Sequence, residues 1–262
     1  MLIQTGIEGR RFALVGGTSG MGFAAAQILV ASGARVALIG RDADAAATKA
    51  NSLDSGAIGL GSDNGGIEDT IADAHERLGG LNGLAVTAGP IASRGGLLDL
   101  ADADWQESFD TIFMLTMRSM RAAIPLLAAG GGGSIVTTAA YSVRAPKQAL
   151  PHYAAMKAAV ASLTKNVAIF HAAQGIRANC VAPGAIATEA LDSARDASAL
   201  RYPDLDAEAA LNRLMVEDWG MQVAQNRVGL PHEAGELIAF LLSPAAAYMT
   251  GALINIDGGT NF

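Results

Sequence analysis

Short apolar runs alternate with longer amphipathic segments along almost the whole chain of 262 residues. The apolar runs predict seven strands, at 12–15, 35–39, 58–60, 84–86, 134–138, 177–181 and 253–256. Amphipathic patterns predict helices between most of them, at 21–31, 42–53, 66–78, 103–128, 152–171 and 231–242. Strands and helices in alternation favour parallel strands joined by crossover helices. The sequence therefore predicts a single α/β domain, residues 1–262, with a doubly wound, seven-stranded parallel sheet.

The composition agrees with a sheet that is covered on both faces. Hydrophobic residues make up 51% of the chain, charged residues 16%, and the mean hydropathy is +0.30. The longest uncharged window, 122–143, contains Pro125 and a run of glycines at 130–133, which would break a membrane-spanning helix. We therefore expect no membrane span, and we interpret the remaining apolar surface as the interface of a homo-oligomer.

Charge and cysteine content exclude several classes of function. The net charge is −7 and the pI is about 5.0, with no basic stripe, so nucleic acid is not an expected partner. Cys180 is the only cysteine, and the four histidines lack metal-ligand spacing, so we expect neither a disulfide nor a metal site. Residues 1–10 include Glu8 and lack the apolar region of a signal peptide, which favours the cytoplasm.

A glycine-rich turn lies between the first predicted strand and the first predicted helix. Gly16, Gly20 and Gly22 would let backbone N–H groups approach a pyrophosphate at a helix N-terminus. Thr18, Ser19 and Met21 belong to the same turn. The pattern predicts a Rossmann-like nucleotide site, although glycines also serve simply to close tight turns.

Tyr153 and Lys157 are four residues apart in a predicted helix, so both lie on one face. Moving a phenol pKa from about 10 toward neutrality needs roughly 4 kcal/mol. One positive charge about 5 Å away supplies on the order of 3 kcal/mol at an effective dielectric near 20. The pair is therefore interpreted as an acid with its own electrostatic partner. His152 adjoins Tyr153 but lies about 100° around the helix.

These motifs, in this order, resemble the short-chain dehydrogenase/reductase family, and the resemblance covers nearly the whole chain. The glycine turn is similar to the family's T-G-x-x-x-G-x-G, and Tyr153 with Lys157 to its Y-x-x-x-K. The resemblance implies further cofactor contacts: Asp63 at the adenine, Ala88 and Gly89 after the fourth strand, and Pro183, Gly184, Ile186 and Thr188 at the nicotinamide carboxamide. The alternative for Asp63 is that it is only a turn residue. Asp257-Gly258-Gly259 resembles the turn after the final strand.

The family mechanism, as the resemblance implies it, pairs the tyrosine and lysine with a serine and an asparagine. Ala140 stands at the serine position and Ile112 at the asparagine position. Thr138, Tyr141 and Ser142 are the nearby hydroxyls. We favour Ser142 as the catalytic substitute, the alternative being that no serine equivalent exists. Val15 and the pair Val86-Thr87 also depart from the family's polar pattern.

The end of the second strand bears on the choice of dinucleotide. Gly40 occupies the place where a relative that binds NAD carries an acid, and Arg41 follows it. Arg41 therefore favours NADP(H) over NAD(H). The alternative is a surface ion pair between Arg41 and Asp42 or Asp44.

Residues 188–227 interrupt the strand–helix rhythm and are predicted to form a substrate lid. Its apolar side chains are Leu191, Leu200, Tyr202, Leu205, Leu211, Leu214, Met215, Trp219 and Met221. They favour a hydrophobic alcohol or ketone as substrate, or else packing against a partner subunit. Arg144 and Lys147, in the loop before Tyr153, are interpreted as a solvated loop face, the alternative being that they bind an acidic group of the substrate.

The leading hypothesis is an NADP(H)-dependent oxidoreductase that interconverts a secondary alcohol and a ketone of a hydrophobic substrate. One alternative is an NAD-dependent alcohol dehydrogenase working in the oxidative direction. A second is a non-catalytic dinucleotide-binding sensor or scaffold, suggested by Ala140 and Ile112. The family resemblance favours a homotetramer.

Overall fold

The computed structural model of the protein describes residues 5–53, 56–63, 65–91, 93–146 and 149–260, so Lys147 lies outside the described residues. The strands are β1 (Arg11–Val15), β2 (Arg35–Gly40), β3 (Ala57–Gly61), β4 (Gly83–Val86), β5 (Gly133–Thr138), β6 (Ile176–Pro183) and β7 (Leu253–Ile256). The helices are α1 (Gly20–Ala31), α2 (Ala43–Asn51), α3 (Ile67–Leu78), α4 (Asp102–Ser108), α5 (Leu115–Ala129), α6 (Pro151–Phe170), α7 (Asp192–Arg201), α8 (Ala207–Trp219) and α9 (Pro231–Leu242).

The seven strands form one parallel sheet in the order β3-β2-β1-β4-β5-β6-β7. The predicted fold class is confirmed, because the chain winds outward from β1 to β3 and then crosses to β4 on the other side of β1. The carboxyl ends of β1 and β4 diverge at this crossover, which is the place where open α/β sheets bind their ligands.

Helices cover both faces of the sheet. Alternate residues of β1 point into separate cores: Phe12 and Leu14 pack with α1 and α9, while Ala13 and Val15 pack on the side of α3 and α5. This alternation follows from the two-residue period of a strand. Because both faces are covered, the strands consist of nearly continuous apolar residues.

A π-helical segment, Phe109–Met114, joins α4 to α5 and interrupts the single helix that was predicted for 103–128. The hydroxyls of Thr111 and Thr116 bind carbonyls one turn back on either side of the change, those of Glu107 and Ile112 (both 2.7 Å). The apolar period of the sequence carries no mark of such a turn, because the pattern of buried residues continues through it.

The continuous helix Asp102–Ala129 is long and apolar enough to cross a membrane by length and composition alone. Core helices pass the same test. Leu115, Met120, Ala123 and Leu127 of α5 lie in the core cluster beneath the sheet. The uncharged window 122–143 is divided, as predicted, between the end of α5 and β5.

The segment 188–227 contains α7 and α8, which are clamped by ion pairs from Arg201 to Asp218 (2.6 Å) and Glu217 (3.1 Å). Leu211, Met215 and Met221 form a buried apolar cluster. Leu200, which was expected to face inward with them, is 85% exposed. It lies near the end of α7, on the side away from this cluster.

Candidate active site

The glycine turn after β1 is closely packed against the end of β4. A β-carbon added at Gly16 would lie 2.6 Å from the amide nitrogen of Ala88, and Gly16 has a φ of +81°. One added at Gly22 would clash with the Gly16 carbonyl and with the Thr87 hydroxyl. Only glycine fits these two positions, so the turn is held as a narrow concave surface at the crossover.

The same turn presents unused hydrogen-bond donors. Helix α1 starts after Ser19, whose side chain makes no capping bond, and its first turn contains no acidic residue. Within the described residues, no backbone acceptor binds the amides of residues 18–22. A helix N-terminus with free amides and an unopposed dipole binds anions, and the absent β-carbons leave room for a pyrophosphate. The predicted cofactor residues of this turn therefore fit a dinucleotide.

Thr87 supports the turn and was not predicted to have this role. Its hydroxyl lies 3.2 Å from the carbonyl oxygen of Val15 and 3.1 Å from that of Gly16. It stands where the family has a paired asparagine. The Thr87 hydroxyl thus hydrogen-bonds the end of β4 to the glycine turn, with a side chain that is shorter than an asparagine.

Strand β2 ends at Gly40 and not at an acid, and the side chain of Thr18 occupies the space beside Gly40. A β-carbon added at Gly40 would lie 2.7 Å from the Thr18 methyl group. Asp42 caps α2 by accepting the Ala45 amide at 2.9 Å. Among the described residues, Arg41 has no carboxylate within ion-pair distance, contrary to the alternative pairing with Asp42 or Asp44.

The segment after β6 reaches back to the glycine turn. The Thr188 methyl lies 3.0 Å from the place of a β-carbon on Gly20, and Ile186 is buried and bridges to Gly229. Pro183 ends β6 and Gly184 packs on Asp257. Asp63 accepts the Gly66 amide at 2.6 Å, which is the turn role considered for it. Its adenine contact stays a prediction.

Tyr153 and Lys157 lie on one face of α6, as predicted. The Lys157 ammonium is 5.6 Å from the centre of the Tyr153 ring and donates to the Thr138 carbonyl at 3.0 Å. It would also lie 2.9 Å from a β-carbon on Gly89, whose φ is +130°. The pair therefore stands beside the end of β4, next to the glycine turn.

The acid–base properties differ from the sequence-based expectation. Burial raises the pKa of the Tyr153 phenol, and the neighbouring Tyr141 adds to the rise. Burial also lowers the pKa of Lys157 to about 8. In the protein alone Lys157 does not lower the pKa of Tyr153, because the ammonium lies over the ring and is bonded to a carbonyl. The phenol is therefore a firmly protonated donor.

Ile112 explains part of the low pKa of Lys157. Its side chain approaches the same side of Gly89 as the ammonium does, lying 3.4 Å from a β-carbon placed there, and it is fully buried. It lies in the π-helical segment, at the position where the family has an asparagine. An aliphatic group in this place contributes to the desolvation of the lysine and offers it no hydrogen bond.

The three candidate hydroxyls have different surroundings. Thr138 donates to the Val86 carbonyl at 3.2 Å, so its proton is committed. Ser142 is buried, and its oxygen has no partner among the described residues. Tyr141 packs against the apolar cluster of 188–227 and lies close enough to Tyr153 to affect its pKa.

A cavity of about 730 Å³ opens beside this site, on a neighbouring face of α6. Ser142, Ala154, Ala155 and Ala158 line it, whereas Tyr153 and Lys157 do not. Residues 154, 155 and 158 lie 60° or more around the helix from residues 153 and 157. The structure thus brings Ser142 close to α6, but toward a different surface from that of the catalytic pair.

Two contacts of the loop after β4 were not predicted. His152 is fully buried, its Nε2 lies 3.2 Å from the Ser93 hydroxyl, and its ring packs edge-on against Trp105 at 6.0 Å. Arg94 lies over the Trp219 ring at 5.4 Å. Residues 93 and 94 belong to the loop after β4, beyond the Ala88-Gly89 motif, and no motif includes them. The only available signal was that this loop follows a strand at the carboxyl edge of the sheet.

Comparison with known proteins agrees with this geometry. A family model described as enoyl-(acyl carrier protein) reductase matches residues 15–261. The chain is 31% identical to 2-(S)-hydroxypropyl-CoM dehydrogenase 3 of Xanthobacter autotrophicus, over 94% of each protein. It is 33% identical to the inactive 2-(S)-hydroxypropyl-CoM dehydrogenase 2 of the same organism, over 89% of this chain and 98% of the relative.

Among solved structures, L-sorbose reductase from Gluconobacter frateurii, complexed with NADPH and L-sorbose, superposes with a TM-score of 0.87. It is 25% identical, and the match covers 98% of both chains. The family match spans nearly the whole sequence, and the Tyr153–Lys157 pair stands beside the glycine turn as the family motifs require. The chain is a member of the short-chain dehydrogenase/reductase family, an NAD(P)-dependent oxidoreductase of alcohols and ketones.

Proposed function

We propose that the protein is an NADP(H)-dependent oxidoreductase that interconverts a hydrophobic secondary alcohol and its ketone. The observation that carries the proposal is the position of the Tyr153 phenol and the Lys157 ammonium beside a turn with free amides. The apolar composition of residues 188–227 is the basis for a hydrophobic substrate, and Leu211, Met215 and Met221 form the buried interior of this segment. Residues 188–227 are proposed as the lid over it.

Each residue has a defined task in this reaction. Residues 18–22 would bind the pyrophosphate, Thr188 would lie over it, and Lys157 would hold the nicotinamide ribose. The bound nicotinamide supplies the hydride in reduction and accepts it in oxidation. Tyr153 donates its proton to the carbonyl oxygen. Its raised pKa keeps the phenol protonated at neutral pH, so the proton is present in the direction of reduction.

We assign the missing hydroxyl to Tyr141. Its phenol is next to Ala140 in the chain and close to Tyr153, and burial raises its pKa, so it remains a donor. Thr138 is committed to a carbonyl and Ser142 faces another cavity. Ser142, which the sequence favoured for this role, is the alternative to Tyr141, and the following experiment distinguishes the two.

Tyr141→Phe should lower kcat for ketone reduction about 10²-fold, because one donor to the developing oxyanion is lost. Adding Ala140→Ser to Tyr141→Phe should recover at least tenfold, since it restores a hydroxyl at the position used by the family. Ser142→Ala should change kcat less than threefold. The reverse result, with a large loss in Ser142→Ala and none in Tyr141→Phe, would return the role to Ser142.

The NADP(H) assignment rests on Arg41 and Gly40. Arg41 has no described carboxylate partner, Asp42 is occupied as a helix cap, and Thr18 fills the space beside Gly40. Titration by cofactor fluorescence should give tighter binding of NADPH than of NADH, and Arg41→Gln should reduce only the NADPH affinity, about tenfold or more. Equal affinities in the natural protein would favour the NAD-dependent alternative.

A non-catalytic sensor remains the competing function, favoured by Ala140 and Ile112. Hydrophobic ketones with NADPH separate the two, because an enzyme loses turnover in Tyr153→Phe and keeps cofactor binding. A sensor would bind NADPH without any oxidation that depends on Tyr153. We further propose a homotetramer, supported by the exposed Ile169 and Phe170 on α6, and a reducing cytoplasm, supported by the buried thiol of Cys180.

A further inference from the structure

Arg94 connects the loop after β4 to the segment 188–227. It belongs to the loop between β4 and α4, and its guanidinium lies 5.4 Å from the centre of the Trp219 ring, at the end of α8. Stacking on an indole uses the face of a guanidinium and leaves its N–H edges open.

Arg94 and Tyr141 are connected through one apolar cluster. Trp219, which contacts the Arg94 guanidinium, and Tyr141 both pack against the cluster of Leu211, Met215 and Met221. The positive charge of Arg94 also acts to lower the pKa of Tyr141. A group bound to the Arg94 edge would therefore lie on the side of the proposed site where Tyr141 stands.

Arg94 differs from most other arginines in that no described carboxylate or carbonyl accepts a hydrogen bond from it. Carboxylates pair with Arg77, Arg121, Arg195, Arg201, Arg213 and Arg227. Backbone carbonyls accept from Arg10, Arg11, Arg35, Arg144 and Arg177. In the described part of the chain, Arg94 has neither kind of acceptor. The acid on its own loop, Asp99, accepts the Gly96 amide at 2.9 Å instead.

We propose that Arg94 binds a carboxylate on the substrate, so that the natural substrate is an oxo acid or hydroxy acid with an apolar body. The proposal rests on the proposed function and adds the second polar end of the substrate. A planar guanidinium matches a carboxylate by two parallel hydrogen bonds, and the Trp219 face keeps the plane oriented. The apolar cluster of 188–227 would cover the chain between the two ends.

The test compares linear oxo acids, from 4-oxopentanoate to 8-oxononanoate, with their methyl esters at saturating NADPH. The natural protein should prefer the acid of the best length by at least tenfold in kcat/KM. Arg94→Gln should lower kcat/KM for that acid 10- to 100-fold, mainly by raising KM. It should change kcat/KM for the methyl ester less than threefold. Arg94→Lys should recover part of the loss. Arg195→Gln removes the same charge from α7 and should leave the acid-to-ester ratio unchanged.

Two results would overturn the proposal. One is an equal loss for acid and ester in Arg94→Gln, which would mean that the residue only supports Trp219. The other is no loss for either compound. If the natural protein reduces no oxo compound, the proposed function fails, and calorimetric titration of 4-oxopentanoate in the presence of NADP⁺ decides the matter for Arg94. If the natural protein binds 4-oxopentanoate and Arg94→Gln binds it about tenfold more weakly, the carboxylate site is supported. If both proteins bind it equally, or neither binds it detectably, the site is rejected.

Discussion

Lys157 is held where its positive charge is disfavoured. The side chain is 3% exposed, and burial lowers its pKa to about 8 from the ordinary value of 10.5. Its one described hydrogen bond goes to the Thr138 carbonyl, and Ile112 approaches from the position where relatives have an asparagine. The protein thus gives up stability to keep a cation beside the phenol that we propose as the catalytic acid.

Replacing Lys157 by Met should stabilise the protein at pH 7, although it removes catalysis. The pKa of Lys157 is lower in the folded state than in the unfolded state. The buried ammonium therefore destabilises the natural protein by its full amount below about pH 8. It regains stability as the pH rises toward 10.5. The advantage of Lys157→Met should therefore shrink by about 2 kcal/mol between about pH 7.5 and about pH 9.5, measured by urea unfolding. Lys165→Met, at an exposed position of the same helix, should show no such change.

Ile112→Asn should raise the pKa of Lys157, because an amide oxygen solvates the ammonium. The alkaline decline of kcat should move upward by about one pH unit, read from the pH–rate profile. Burying an amide should also cost about 1–3 kcal/mol of stability. Ile112→Leu is the control, and a profile that does not move in Ile112→Asn would contradict the assigned cause.

At this scale the sequence predicted the residues that have fixed spacing. Tyr153, Lys157 and the glycines were found because four residues make one helical turn and because a β-carbon is excluded from the turn. The contacts of Arg94 and Thr87 were missed, since they form only when segments distant in sequence come together. In the protein without cofactor, burial raises the pKa of Tyr153, an effect that one-dimensional spacing does not report.

Among the elements, the segment 188–227 is fastened at its carboxyl end by a single ion pair. Arg227 contacts Glu233 in the first turn of α9 at 2.6 Å, and Glu233 also accepts the Leu230 amide at 2.7 Å. These two bonds lower the pKa of Glu233 to about 2. One carboxylate therefore holds both the helix start and the end of the proposed lid.

Glu233→Gln should loosen this end of the lid. The folded pKa is depressed, so the stabilisation is present above about pH 4.5 and is lost as the pH falls toward 2. Because the ion pair is about one-third exposed, we expect Glu233→Gln to lower the free energy of unfolding by about 1 kcal/mol at pH 7. The difference between the two proteins should become smaller in acid. Hydrogen exchange of 188–227 should quicken. Glu236→Gln, exposed on the same helix, should leave both readouts unchanged.

Element types were predictable where tertiary packing agreed with the local pattern. All seven strands and the predicted helices of the sheet layers were found within a few residues, since buried parallel strands are short, continuous apolar runs. The π-helical segment was not, because Ile112 preserves the apolar period on both sides of it. The two helices within 188–227 were likewise hidden by their mixed apolar and charged composition.

For the whole molecule, the sheet order explains why residues so far apart in sequence share one site. The turn after β1, the end of β4, α6 and the segment after β6 all meet at the carboxyl edge of the sheet. The outer face of α6, in contrast, ends in exposed apolar side chains: Ile169 is 63% exposed and Phe170 is 72% exposed. Adjacent exposed groups of this size favour association with another copy.

Phe170→Glu should lower the oligomeric state, because a charge would be buried without a partner in the interface. Light scattering coupled to gel filtration should show a smaller mass than for the natural protein. Leu200→Glu changes an 85% exposed residue on α7 and should have no effect. A protein that is monomeric before substitution would exclude the proposed tetramer.

The contact between Thr18 and Gly40 also constrains how cofactor preference can change during evolution. An acid at position 40 is the simplest route to gripping ribose hydroxyls, but its first carbon would lie 2.7 Å from the Thr18 methyl. A side chain at position 40 therefore requires Thr18 to move or to become smaller. We expect the two positions to be epistatic: an acid at position 40 should bind NADH better when it is combined with Thr18→Ala or Thr18→Gly than beside Thr18.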